Sequence, residues 1–136
     1  MTKTYTNIDA IYKTRYSNKY GAKRTEYNGR KYDSKFEAGV AEELDIRKKG
    51  GEIKDWEPQF KVEMWACDSI GQPKLKKTHR IDFRVHELDG GYTLLEAKGV
   101  ETQDYRDRRK WLQAFWLPEN PDHVYEVVYC SKRRGR

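Results

Sequence analysis

Residues 78–99 read THRIDFRVHELDGGYTLLEAKG, two short strands joined at Gly90-Gly91, with Asp82 early in the first and Glu96 and Lys98 near the end of the second. A strand alternates its faces with period two, so Glu96 and Lys98 share a face and Ala97 points the other way. Two carboxylates and an ammonium can then converge. Acids held a few ångströms apart repel unless a cation lies between them, and a hard divalent ion such as Mg²⁺ is the natural occupant. Lys98 would face the water or the phosphate at such a site.

A hairpin with Glu96 and Lys98 on a solvated face needs no function at all. Two features weigh against that bland reading. Leu94, Leu95 and Ala97, with Ile81, Phe83 and Val85, mark both strands as largely buried, and buried charges are costly unless paired or metal-bound. The second feature is the pattern of the flanks.

Upstream, Asn28-Gly29 between Thr25-Glu26-Tyr27 and Arg30-Lys31-Tyr32 signals a type I′ hairpin. A helix is expected from Asp33-Ser34, where Ser34 and Glu37 form a capping box, to Lys48-Lys49-Gly50-Gly51, with Phe36, Val40, Ala41 and Leu44 as its apolar stripe. Glu37 either completes the cap or reaches a metal from the edge of that stripe. Ile53 to Trp65 reads as a strand interrupted near Pro58, in which Phe60, Val62 and Met64 alternate with Lys61, Glu63 and Trp65. A polar loop is expected from Cys67 to Lys77, either facing substrate or merely solvated. A second helix is expected from Thr102 to Leu117, with Tyr105, Leu112, Phe115 and Trp116 apolar, stopped by Pro118 and Pro121. Val124 to Cys130 is a last strand. A short helix around Ile8 to Tyr12, capped by Thr6 or Asn7, is the remaining expectation.

The order helix, three strands, helix, strand is an α/β arrangement, αβββαβ, with a mixed central sheet flanked by helices. Together with Lys19-Tyr20-Gly21-Ala22-Lys23, Tyr32-Asp33-Ser34-Lys35-Phe36-Glu37-Ala38, Gly51-Glu52-Ile53-Lys54-Asp55, Ile81-Asp82-Phe83 and Glu96-Ala97-Lys98-Gly99, it resembles the PD-(D/E)XK nuclease superfamily over residues 18–130. Within it the chain looks like the small phage-encoded nucleases that are similar to Holliday-junction resolvases of the phage endonuclease I type. The resemblance implies a restriction-endonuclease-like core. It implies a Mg²⁺-dependent DNA endonuclease, with Mn²⁺ able to substitute. Metal would be held by Asp82, Glu96, the Ala97 carbonyl and Glu37, and Lys98 would orient the attacking water. It further implies branched DNA as substrate, a role in phage recombination, and a homodimer. Ile81 stands where the family motif has proline, and Glu57 stands where such proteins carry a glutamine.

At 136 residues the chain has room for one domain. We expect a basic, tyrosine-rich arm with a small hairpin over 1–32, a nuclease domain over 33–130 and a basic tail over 131–136. The arm carries a charge balance of +6, the tail +4, and the body −4. That distribution fits a polyanion binder with gripping ends, or else solubilising tails. The residues expected to meet DNA are Lys19, Lys23, Arg24, Lys35, Arg106, Arg108, Arg109, Lys132, Arg133 and Arg134. With no membrane-length apolar stretch, no signal-like segment and two cysteines expected to be reduced, the expectation is a cytoplasmic protein, in the host cytoplasm if phage-encoded. No small-molecule cofactor is expected. The competing functions are sequence-specific or nicking cleavage, a nucleic-acid-binding module without cleavage, and an interaction protein with a charged face.

Overall fold

The structure, a computed structural model, describes residues 24–130. The expected helix over Ile8 to Tyr12 lies outside them. Strands β1 (Thr25–Tyr27) and β2 (Arg30–Tyr32) form the expected hairpin, with Asn28 at φ 53° and Gly29 at φ 83°, both left-handed as a type I′ turn requires. Helix α1 (Lys35–Lys49) follows, and Ser34 accepts the Glu37 backbone N–H at 3.0 Å. Asp45 of α1 ties the layers together, accepting from Tyr27 Oη at 2.6 Å and from Trp56 Nε1 at 2.8 Å.

The main sheet contains β3 (Asp55–Cys67), β4 (Pro73–His86), β5 (Tyr92–Lys98) and β6 (His123–Tyr129), in that spatial order. The first two pairings are antiparallel and β5–β6 is parallel, the crossover being made by α2 (Gln103–Trp111). The αβββαβ order and the mixed, helix-flanked sheet are therefore as expected. Among the described residues no helix is long and apolar enough to cross a membrane.

Several local expectations need correction. The strand β4 begins at Pro73, so Lys74 to Lys77 are strand residues, Lys74 being the extra one at a register shift, and Asp82 lies well inside a 14-residue strand. The polar connection shrinks to residues 68–72, because β3 and β4 pair in register out to Trp65↔Lys76 and Ala66↔Leu75. The second helix is α-helical only to Trp111. It continues as a π turn over Leu112–Trp116 and a 3₁₀ turn over Leu117–Glu119, which leaves Phe115 exposed. Its apolar residues are thereby spread too widely for one α-helical stripe to bury them all. The interruption expected near Pro58 falls on the next residue, Gln59, at φ 55°, although β3 continues through it.

The apolar residues divide between the two sides of the sheet. Phe83, Val85 and Leu95 join Phe36, Val40, Ala41 and Leu44 of α1, with Trp56 packed against them. Val62, Met64, Ile81 and Leu94 join Leu112, with Phe60, Trp116 and Tyr125 against them. Trp56 and Phe60 have the same parity, as do Phe83 and Ile81, yet each pair is split between the two clusters. Since parity normally fixes the face, β3 and β4 both change face between these residues. The crossing falls on the row of Gln59 and Asp82, where their ladder is also interrupted between Pro58↔Phe83 and Phe60↔Ile81.

Candidate active site

Asp82 sits at that crossing. One rung past the last β4–β5 pair, Phe83↔Leu95, it comes opposite Glu96, and on its other side opposite Gln59. The rung between β4 and β5 is closed by a side chain, with Asp82 Oδ2 accepting the Ala97 backbone N–H at 2.8 Å. Glu37, buried on the first turn of α1, completes the group. The Gln59 amide Nε2 lies 3.4 Å from Glu37 Oε2.

The electrostatics show how closely these acids are set. Burial, reinforced by the charges of Glu37 and Glu96, pushes the Asp82 carboxyl up to about 8, against the opposing pull of the Ala97 N–H and Lys98. Burial and the Asp33 and Glu96 charges likewise push Glu37 up to about 7, while a backbone hydrogen bond at Asp33 and the charge of Lys98 oppose the rise. Two buried carboxyls, Asp82 and Glu37, whose proton affinity is raised beside the Glu96 charge, offer oxygen donors of the kind that suit a hard divalent cation. As the side chains stand, no three His, Cys, Asp or Glu side chains among the described residues gather around one point as a ligand set.

Glu96 is engaged by partners of its own. Its Oε2 is 2.5 Å from His79 Nε2 and 3.4 Å from Tyr125 Oη, and Tyr125 is in turn 2.5 Å from Tyr105 Oη. The His79 and Glu96 side chains are 2% and 1% exposed, so this pair is closed to solvent. Lys98, on the Glu96 face of β5, rests its Nζ 4.1 Å from the centroid of the Tyr105 ring. A carboxylate and an ammonium two residues apart are thus fixed by one wall of His79, Tyr105 and Tyr125.

Glu37, Glu96 and Lys98 lie near enough to Asp82 for their charges to act on it, but the side chains do not converge on one point, and Ala97 contributes an N–H that holds Asp82. Glu57 is elsewhere, accepting from Arg84 Nε and His86 Nε2 at 2.8 Å each. Arg84 is stacked between Phe60 and Tyr92. Of the basic residues expected on DNA, Arg24 and Lys35 are exposed. The arginines of α2 have partners of their own: Arg106 on the Glu101 carbonyl and Gln103, Arg108 on Asp104, Arg109 on Glu101. Lys19, Lys23, Lys132, Arg133 and Arg134 lie outside the described residues. Reading the sequence missed Gln59 and His79. The available signal for His79 was its place in the buried alternation with Ile81.

The model of a family described as "Protein of unknown function (DUF1064)" matches residues 17–127. The chain belongs to the DUF1064 family. That match takes in every described element of the fold through α2 and nearly all of β6, so Glu37, Asp82, Glu96 and Lys98 all lie within the DUF1064 region. No curated protein and no solved structure matches the chain.

Proposed function

We propose that the chain is a metal-dependent DNA endonuclease that hydrolyses phosphodiester bonds. The observation that supports this reading is that Asp82, buried where β3 and β4 change face, lies within reach of the charges of Glu37, Glu96 and Lys98 together. A protein that only bound phosphates would be hindered by three acids there. A divalent ion, Mg²⁺ or Mn²⁺, held by Asp82, Glu96 and Glu37 would neutralise charge on the scissile phosphate and lower the pKa of a bound water. The chain's own residues do the rest. Ala97 N–H fixes Asp82, and His79 and Tyr125 fix Glu96. Lys98 is held on the Tyr105 ring, where its ammonium can donate to the attacking water or to a phosphate oxygen.

The likeness to small phage nucleases extends the proposal to branched DNA, to a two-fold dimer making paired cuts, and to action in the cytoplasm during recombination. Labelled branched, duplex and single-stranded DNA, incubated with Mg²⁺ or with EDTA, is the test. Mg²⁺-dependent cleavage, lost in Asp82→Asn and in Glu96→Gln while DNA binding persists, is the expected result. Wild-type turnover by either variant overturns the assignment.

A further inference from the structure

The change of face at Gln59 and Asp82 leaves a second consequence on the outer half of the β3–β4 ribbon. There Val62, Met64, His79 and Ile81 turn towards the α2 side and are buried. Their neighbours Lys61, Glu63 and Trp65 on β3 and Lys76, Thr78 and Arg80 on β4 therefore point to the α1 side. In register they make three rungs, Lys61↔Arg80, Glu63↔Thr78 and Trp65↔Lys76. The helix α1 packs over the inner half of the sheet, and nothing among the described residues covers this outer face: all but Thr78 are exposed, Trp65 at 54%.

The face carries three cations and one acid. Glu63 bridges Lys61 at 3.2 Å and Lys76 at 3.5 Å, and Arg80 makes no ion pair among the described residues. Lys76 Nζ also lies 5.7 Å from the Trp65 ring centroid. The stripe starts beside the acids. At about 3.4 Å per residue, Arg80 lies about 7 Å along β4 from Asp82, and Lys76 about 20 Å. The latter distance corresponds to about six nucleotides of one strand along a duplex axis.

We propose that this bare ribbon face is the surface on which DNA leading to the Asp82–Glu96 site lies, with Arg80, Lys61 and Lys76 on phosphates and Trp65 stacked on an unpaired base. The occupant is fixed by charge and chemistry: a positive stripe ending at a group suited to a phosphate-bound cation, with an open indole of the kind that splayed bases stack on. Glu63 lies in the middle of the stripe and opposes it, which gives a test of the opposite sign. The inference rests on the endonuclease reading for its orientation, and binding without cleavage tests it separately.

Binding of fluorescent branched DNA is measured in EDTA on an Asp82→Asn background, so that no cleavage occurs. Adding Lys76→Gln with Arg80→Gln is expected to weaken affinity at least tenfold and to lower the salt slope by about 1.8, at about 0.9 for each phosphate no longer neutralised. Trp65→Ala weakens binding to branched DNA more than to intact duplex, and Trp65→Phe restores part of it. Glu63→Gln tightens binding. A charge-matched control, Lys49→Gln with Lys110→Gln, lies off this face and changes affinity less than threefold. Equal losses in the control and ribbon variants overturn the proposal. So does a wild-type protein that binds no DNA, or a Trp65→Ala protein that turns from dimer to monomer with unchanged DNA affinity. Loss of binding in the ribbon variants, in a protein whose wild type never cleaves, would retain the surface and sink only the nuclease reading.

Discussion

Gln59 holds a left-handed backbone in the interior of a strand, which costs a residue with a Cβ about 1–2 kcal/mol. That cost is tolerable because the residue opposes Asp82 and brings its amide to Glu37. Gln59→Gly is therefore expected to keep or raise the melting temperature while weakening Mn²⁺ binding, measured by calorimetric titration. Gln59→Asn, which tolerates the same φ, should fall between them. A glycine variant with lower stability and unchanged metal affinity would show that the side chain serves packing alone.

The carboxyls give a pH dependence. Unfolded Asp and Glu titrate near 4, whereas Asp82 and Glu37 in the fold are pushed up to about 8 and about 7. Over that window the folded state holds more protons than the unfolded chain. The contribution to stability is thus full below about pH 4 and is lost as pH rises towards 8. In EDTA, Asp82→Asn should therefore become more stable relative to wild type with rising pH, by ~1–3 kcal/mol near pH 8. Parallel melting curves across the range would contradict it. Asp82, Glu96 and Lys98 were legible in the sequence because charge inside an apolar alternation stands out. Gln59 was not, since a neutral amide carries no such mark and its φ arises only when two strands change face together.

At the scale of elements, the hairpin and α1 were readable from local chemistry alone: Asn28-Gly29 supplies two positive φ values, and Ser34 caps the helix that the glycines end. Ser34→Ala should cost about 1 kcal/mol in denaturant unfolding, with no change in m-value. The same local reasoning failed for β4 and α2. Lys74 to Lys77 look like loop by composition, but they face solvent or α2 from a two-stranded ribbon whose pairing, not hydrophobicity, keeps them extended. In α2, Lys77 bonds Asp107 at 2.6 Å and lies 5.1 Å from the Trp111 ring centroid, tertiary contacts that no periodicity encodes.

For the molecule as a whole, a sheet with a cluster on each side spreads a modest core over two layers. Leu44, fully buried on the inner face of α1, should cost about 2–5 kcal/mol on truncation to alanine. Leu75, exposed near the ribbon tip, should tolerate the same change within about 0.5 kcal/mol. The charge balance of the two ends makes a further expectation. Deleting 1–17 and 132–136 should weaken binding to every DNA tested and flatten its salt dependence. An unchanged slope would mark the ends as solubilising. Light scattering at micromolar concentration, with the symmetry of cuts on a plasmid-borne junction, decides between a paired resolvase and a monomeric nicking enzyme.

The bond from Ala97 N–H to Asp82 fixes a count as well as a place. Four rungs, from Phe83↔Leu95 to His86↔Tyr92, separate that bond from the turn at residues 87–91. A residue gained or lost in the turn leaves the acids aligned, whereas one gained or lost within the rungs of a single strand slides Asp82 past Glu96. Across related chains, insertions and deletions between the aspartate and the Glu-x-Lys should therefore gather in the turn. Any search for distant kin should let that gap stretch freely while holding the four rungs rigid.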